Sequence, residues 1–158
     1  MALMKMPTYA GGSYSGGVSI PKLSSTTPQC IYSSEDPSNP ICNAFGYDNS
    51  KAAVIPNQIG SYIGYDFGRN VILNEVIFKT TYTSGTEFVL QGHDGTQWQP
   101  IQTFTATGAA VSSFPTDSQD IWITQTTPYS KYRLYQNTKP TAYGNLAYWG
   151  IQFIGETV

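Results

Sequence analysis

The only histidine of the chain, His93, lies in the stretch FVLQGHDGTQW, beside Asp94 and between two glycines. A histidine next to a carboxylate is a combination that general acid–base catalysis and metal binding both use. The same stretch also fits a β-hairpin, because Asp94-Gly95 is a dipeptide that readily adopts the positive φ of a tight turn. The residues alone therefore offer two interpretations, a reactive loop or a turn between two strands.

Other signs of catalysis are missing from the sequence. It contains no GxSxG nucleophile elbow, no GxxxxGK[ST] phosphate loop and no GxGxxG fingerprint. Carboxylates are sparse, and their spacing does not propose the facing pair that a glycosidase needs. We therefore interpret His93 as a hairpin residue that Ser or Asn can replace, and we predict that the protein is not an enzyme.

Composition narrows the classes of partner. Charged residues make up 11% of the 158 residues and the net charge is -2, so no basic surface is available for nucleic acid. The sequence has no apolar span of membrane length and no recognisable signal peptide, which predicts no membrane insertion. Twelve Tyr and three Trp, among many Ser, Thr, Asn and Gln, suit a surface that binds sugars or proteins through rings and hydroxyl groups.

From Pro28 onward the pattern is that of an all-β domain. Short runs of β-branched and aromatic residues alternate with Gly, Pro, Asn and Asp, and about seven such runs match the strand number of a sandwich. The predicted strands lie in SYIGYDFG, NVILNEVIFKT, EFVLQG, QWQPIQTF, DIWIT, KYRLYQN and LAYWGIQFIG. In the second of these, Ile72, Val76 and Phe78 share one face, with Asn74 as a polar exception.

The large side chains of these strands are assigned to structure. We expect Trp98, Trp122 and Trp149 to pack in the core, since they lie in or beside strands. Arg133 lies inside a strand, where we expect it to pair with a carboxylate or to extend along the sheet.

Residues 1–27 differ from the rest, because they are rich in Gly, Ser, Thr, Pro and Tyr and show no periodicity. We predict an extended N-terminal arm or linker over 1–27 and a single domain over 28–158. The arm is more apolar than a linker requires, which favours docking against a neighbouring protein over a disordered tail. Cys30 and Cys42 flank a proline-containing loop, and a disulfide or two free thiols are both open.

The order of several motifs resembles the discoidin domain, also called the factor V/VIII type C domain, and its relatives among carbohydrate-binding modules. The motifs are SSEDPSNPICNAFGYDN, YIGYDFG, EVIFKTTYTSGTEFVLQGHDGTQW, KYRLYQ and LAYWGIQFIG, and they cover residues 28–156. The resemblance implies an antiparallel, galactose-binding-like β-sandwich (a jelly roll) that binds without catalysis. Many relatives hold a structural calcium in the loop after NAF. Here that loop reads GYDNSK, in which Asp48 and Asn49 are weak candidate calcium ligands.

The resemblance also places the ligand at loops on one end of the sandwich, here SEDPSNP, GYDNSK, TTYTSGT and NTKPTAYGN. Tyr residues in these loops are candidate platforms for a sugar ring, and polar residues are candidate partners for its hydroxyl groups. The platforms are Tyr47 and Tyr82, the hydroxyl partners are Asp48, Asn49, Asn137, Lys139 and Asn145, and Tyr143 can act as either. Each also has a plain structural interpretation, because loop Tyr often packs back on the sheet and loop Asn often serves a turn.

We therefore predict a recognition module that binds a neutral glycan at a cell surface, as a virion component such as a phage tail fibre or a capsid decoration protein. The alternative is a structural decoration or cement protein that docks through residues 1–27 and binds no sugar. In either case we expect a homo-oligomer or a multimeric assembly, on a virion surface or an extracellular face, or otherwise in the cytoplasm.

Overall fold

The regular structure of this chain is almost entirely β-strand. The computed structural model describes residues 3–5, 18–19, 30–34, 36–45, 52–108, 118–140 and 142–158. Over these residues the strands are β1 (Leu3–Lys5), β2 (Val18–Ser19), β3 (Cys30–Tyr32), β4 (Ala53–Pro56), β5 (Tyr62–Thr81), β6 (Glu87–His93), β7 (Trp98–Thr105), β8 (Gln119–Trp122), β9 (Tyr129–Gln136) and β10 (Asn145–Thr157), with one 3₁₀ helix at Ile41–Phe45. The described residues include no α-helix and none that could span a membrane.

The long strand β5 takes part in two layers. Its first part, residues 62–66, pairs with β3 and with β9, and β9 continues to β6 and β7. Its second part, residues 71–81, pairs with β10, which in turn pairs with β4 and β1, and residues 75–78 also pair with β8. Between the two parts, Gly68 has a φ of 65° in an exposed stretch, where glycine avoids the steric penalty of a side chain. The two strands predicted over SYIGYDFG and NVILNEVIFKT are thus one bent strand.

The core lies between these layers. Phe88 of β6 contacts Phe78 of β5 at a ring-centroid distance of 5.5 Å and Tyr148 of β10 at 6.3 Å, and all three side chains are buried. Full burial of a side chain of this size contributes about 1.5–3 kcal/mol. The predicted antiparallel sandwich is confirmed, with β1–β2 as the one parallel pair among the described strands.

A β-bulge explains the polar exception in β5. Gly155 of β10 pairs with Leu73 and Ile154 pairs with Glu75, so Asn74 has no partner in the register. An extra residue of this kind moves the following side chains to the other face. After the bulge, Val76 and Phe78 are buried as predicted. Before the bulge, Leu73 is the buried residue. The prediction for Ile72 is wrong, because its side chain is only half-buried.

The N-terminal segment contributes strands to this sheet. Leu3–Lys5 pairs with the last part of β10, and Val18–Ser19 pairs with Leu3–Lys5. These five residues of the predicted arm therefore extend an edge of the same chain's sheet. Further along, Cys30 and Cys42 form a disulfide with their Cα atoms 5.7 Å apart, which decides between the two states that the sequence left open.

The predicted hairpin around His93 is confirmed. His93 pairs with Trp98, Gly95 has a φ of 101°, and Asp94 Oδ1 accepts hydrogen bonds from the N–H groups of Thr96 and Gln97. The backbone N–H of Gln97, the amide of Gln99 and the backbone N–H of Thr96 lower the pKa of Asp94 to about 2. The carboxylate is thus a turn former, and the histidine accepts a hydrogen bond from Gly95 N–H through Nδ1.

None of the three tryptophans belongs to the core cluster, so the prediction that they pack in the core is wrong. Trp122 is 67% exposed at the end of β8, because its neighbour Ile121 takes the core-facing position. Trp98 is half-buried and lies outside the core. Trp149 is also half-buried and outside the core, and its Nε1 donates a structural hydrogen bond to Thr81 Oγ1 at 3.0 Å.

Candidate ligand-binding site

Two of the four predicted loops meet at one end of the layer formed by β4, β10 and residues 71–81 of β5. Tyr82 follows the last residue of β5, and Tyr143 lies just before the start of β10. Their ring centroids lie 4.8 Å apart at an interplanar angle of 57°. A tilted contact at this distance is a favourable aromatic geometry.

A pocket of about 220 Å³ opens beside these rings. Its lining residues are Val54, Tyr82, Tyr143, Gly144, Asn145, Leu146 and Ala147. The sheet register sets its shape, because Ala147 of β10 pairs with Val54 of β4 on one side and with Thr81 of β5 on the other. The start of β10 is therefore the floor, and Tyr82 and Val54 stand on opposite sides of it.

Tyr82 reaches the pocket through an unusual backbone conformation. It is the only non-glycine residue with a positive φ in the part of the chain that the structure describes, at 63°. The left-handed region costs about 1–2 kcal/mol for a residue with a side chain. Both neighbours, Thr81 and Thr83, are fully buried, and Thr83 Oγ1 is hydrogen-bonded to Thr80 Oγ1 at 2.7 Å. These anchored residues on both sides hold the ring of Tyr82 outward.

Tyr143 is held by a different device, a buried amide network. Asn57 Nδ2 donates to the carbonyl of Tyr143 at 2.7 Å, and Asn57 N donates to the carbonyl of Gly144 at 2.9 Å. Gln136 Nε2 in turn donates to Asn57 Oδ1 at 2.7 Å, and both amide side chains are buried. The backbone on which Tyr143 stands is thus tied to β9, while the Tyr143 side chain remains 41% exposed.

Sequence reasoning did not identify Asn57 or Gln136. Their role depends on contacts between distant parts of the chain. The sequence showed only two amide side chains next to predicted strands, and such amides also stabilise turns.

Other predicted residues lie away from the pocket. Asn137 donates from its amide to Glu87 Oε1 and from its backbone N–H to Glu87 O, so it joins β9 to β6. Lys139 is exposed and does not line the pocket. Tyr47, Asp48 and Asn49 lie outside the described residues. Within those that are described, no group of three or more His, Cys, Asp or Glu is arranged for a metal ion.

The residues that flank the GYDNSK segment are described. Asn43 Nδ2 donates to the carbonyl of Ala52 at 3.1 Å, which ties the residues on either side of this segment together. Ala52 lies two positions before Val54, which lines the pocket.

The pocket lining contains no charged residue and is mostly apolar. Two phenol rings and aliphatic side chains provide apolar surface, and the lining contains no Asp, Glu, Lys, Arg or His. The amide of Asn145, which is exposed, has no side-chain hydrogen bond to another described residue, so it can both donate and accept. Apolar walls with a few oriented polar groups are typical of small-molecule sites.

Solved structures share this architecture. The family 32 carbohydrate-binding module of NanJ from C. perfringens, solved in complex with galactose, superposes with a TM-score of 0.63 at 6% identity, over 79% of this chain and 91% of that one. The chain shares the β-sandwich fold of this module. The CBM62 from Clostridium thermocellum Xyl5A matches with a TM-score of 0.62 at 19% identity, over 83% of this chain and 96% of that one.

A third similar structure belongs to a longer enzyme. Truncated AlyQ, with CBM32 and alginate lyase domains, matches with a TM-score of 0.61 at 16% identity, over 80% of this chain. This chain spans only 32% of its length. No known family profile matches the sequence, and no curated protein matches it either. The galactose-binding-like fold that the sequence motifs implied is confirmed by the structures alone.

Proposed function

We propose that this chain is a non-catalytic glycan-binding module whose pocket between Tyr82 and Tyr143 holds a neutral sugar. The observation that carries the proposal is the convergence of the two rings from separate loops beside the amide of Asn145 in an uncharged pocket. Similar structures support it, since they are carbohydrate-binding modules and one of them was solved with galactose.

The chemistry of a sugar ring matches this lining. A pyranose has an apolar face of C–H groups, which packs on an aromatic ring, and a rim of hydroxyl groups, which requires donors and acceptors together. Tyr143 offers the exposed ring and Asn145 the amide. The volume of about 220 Å³ is below the range of about 300–1,000 Å³ typical of larger ligands, which favours one sugar unit.

The proposal is tested with a glycan array probed by the multimerised full chain, followed by calorimetry on the retained glycan. We expect Tyr143→Ala and Asn145→Ala each to weaken binding by about tenfold, because each removes a direct contact. Tyr32→Ala is the matched control, since Tyr32 is 37% exposed but lies on β3, outside the pocket lining. If no glycan is retained, or if Tyr143→Ala binds as well as Tyr32→Ala, the proposal is wrong.

We further propose that the module acts in a multimeric assembly, on a virion as a tail-fibre or capsid decoration component. A shallow site for one sugar binds weakly by itself, and repeated copies would raise the overall affinity through effective concentration. Co-sedimentation of the full chain with intact particles tests this location. A particle-bound protein that retains no glycan would instead support the structural decoration role.

A further inference from the structure

A second group of aromatic side chains lies on the outer face of the other layer. Along β9, Tyr132 and Leu134 point into the core, and Arg133 and Tyr135 alternate with them on the outside. We define the Arg133 cluster as Tyr62, Gln91, Trp98, Arg133 and Tyr135. All of these side chains are half-buried, so each retains some contact with solvent.

Three rings surround the guanidinium group of Arg133. Its Cζ lies 4.2 Å from the ring centroid of Trp98, 4.5 Å from that of Tyr62 and 5.2 Å from that of Tyr135. Its Nε donates to Gln91 Oε1 at 2.7 Å. The rings and Gln91 therefore fix the plane of the guanidinium and leave N–H groups at its far end without a described partner.

A glycine lies directly across the sheet from Arg133. Gly64 of β5 pairs directly with Arg133 of β9. A Cβ at Gly64 would lie 2.7 Å from the Cα of Arg133 and 2.8 Å from its Cβ. A side chain at that position would displace the Arg133 backbone. The absence of one lets Tyr62 and Arg133 approach each other across the two strands.

The predicted carboxylate partner of Arg133 is not found among the described residues. Asp66 is the acidic residue nearby in the register, and it forms an ion pair with Lys131 at 3.3 Å. Burial lowers the pKa of Arg133, but an arginine stays protonated at neutral pH. The cluster thus presents an oriented cation without an anion.

We propose that the Arg133 cluster is a second binding site, which takes the carboxylate of an acidic sugar such as a uronic acid residue of a glycan. A guanidinium with a fixed plane matches the planar, two-oxygen geometry of a carboxylate. The partly exposed rings of Trp98 and Tyr135 lie where the C–H groups of the attached sugar ring can pack. A sulfate or phosphate group would favour several converging cations, whereas Lys131 is already paired with Asp66.

This site is independent of the neutral-sugar pocket. The pocket is built on β4, β5 and β10, and the Arg133 cluster is built on β5, β6, β7 and β9. Ligand binding at one site can therefore be lost without loss of binding at the other.

The test uses hexagalacturonate and a neutral galactose oligomer of the same length as probes, titrated into the full chain by calorimetry. We expect Arg133→Gln to weaken hexagalacturonate binding by about tenfold or more and Arg133→Lys to weaken it less, since lysine keeps the charge but loses the planar contact. Arg69→Gln is the matched control, because Arg69 is an exposed arginine of β5 outside the cluster. Tyr143→Ala should leave the hexagalacturonate affinity unchanged while it weakens that for the neutral oligomer.

A measurement on the unaltered protein guards against variants that fail to fold. On addition of hexagalacturonate, the NMR signals of the Trp98 indole N–H and of Arg133 Nε–H should shift more than those of Trp122. Equal affinity of Arg133→Gln and Arg69→Gln, no shift at Trp98, or displacement of the probe by the same concentration of inorganic sulfate would each overturn the proposal.

Discussion

Tyr82 and Tyr143 contact each other at 4.8 Å between ring centroids, and each is brought there by a different constraint. Tyr82 is directed outward by a left-handed backbone between two buried threonines, and Tyr143 stands on a backbone held by Asn57. A non-glycine residue in such a conformation persists only where its surroundings enforce it, and such residues are concentrated at functional sites. The contact between the rings is therefore built into the fold of the free protein.

The backbone conformation of Tyr82 predicts an inverted order of stability for two substitutions. Tyr82→Ala removes the ring but retains a Cβ at a φ of 63°, whereas Tyr82→Gly also removes the steric penalty. We expect the glycine variant to be more stable than the alanine variant by about 1 kcal/mol in urea unfolding, and both to lose glycan affinity. At Tyr32, in a strand, the order should be the usual one, with alanine more stable than glycine. An alanine variant as stable as the glycine variant at position 82 would show that the backbone there is not constrained.

The amide network predicts that Asn57 acts on ligand binding through Tyr143. Asn57→Ala removes the donor to Tyr143 O and leaves Gln136 Nε2 without one of its two acceptors. Loss of a buried partner of this kind costs about 1–3 kcal/mol in the free energy of unfolding. We expect that loss in urea unfolding together with weaker glycan binding by calorimetry, and neither effect in the exposed neighbour variant Gln58→Ala. If stability falls and affinity does not, Asn57 supports the fold only.

The disulfide predicts a redox-dependent stability. Cys30 and Cys42 are separated by 12 positions, and closing a loop of similar length stabilises a fold by about 3 kcal/mol in the chain-entropy description. We expect the wild-type melting temperature to fall on addition of dithiothreitol. The double variant Cys30→Ser and Cys42→Ser should melt at the lower temperature with or without the reductant. An equal melting temperature of the wild type with and without dithiothreitol would contradict a stabilising role of the disulfide.

The turn carboxylate predicts a pH-dependent difference in stability between the wild type and the variant Asp94→Asn. The pKa of Asp94 is about 2 in the folded state, against an ordinary value of 3.8, because three N–H donors stabilise its charged form. A depressed pKa gives stability that is complete above 3.8 and is lost as the pH falls toward 2. Asp94→Asn should therefore be less stable than wild type at pH above 3.8, with the difference shrinking on acidification toward 2.

The neighbouring variant His93→Ser is the control for that experiment. It should change the free energy of unfolding by less than about 0.5 kcal/mol, because the half-buried His93 side chain lies at the end of β6 and outside the core. A constant difference between Asp94→Asn and wild type across this pH range would mean that the charge of Asp94 does not stabilise the hairpin.

The strands were predictable from local pattern, and their faces were predictable only in part. The alternation of apolar residues predicts that Val76 and Phe78 face the core, whichever strands pair with β5. The half-buried position of Ile72 depends on the bulge at Asn74, which exists because of the register between β5 and β10. A register between residues far apart in the sequence is set by packing of the whole sandwich, and the local pattern does not contain it.

The residues of the candidate site were likewise predictable only in part. Tyr82, Tyr143 and Asn145 were predicted because loops of a rigid scaffold carry binding residues, and the structure brings these three to one pocket. Asn137 was assigned to the same set because it is a polar residue of the predicted NTKPTAYGN loop, but its amide donates to Glu87. The roles predicted for Tyr47, Asp48 and Asn49 stay predictions.

By itself, the sequence determined the all-β class, the hairpin at Asp94-Gly95 and the polar aromatic loops, because turn chemistry and two-residue periodicity act between near neighbours. Only the tertiary structure decided that Cys30 bonds Cys42, that Trp122 faces solvent and that Arg133 stacks among three rings with no carboxylate partner among the described residues. Those outcomes depend on which strands lie side by side, and strand order follows from burial of the shared core and not from any short stretch of chain.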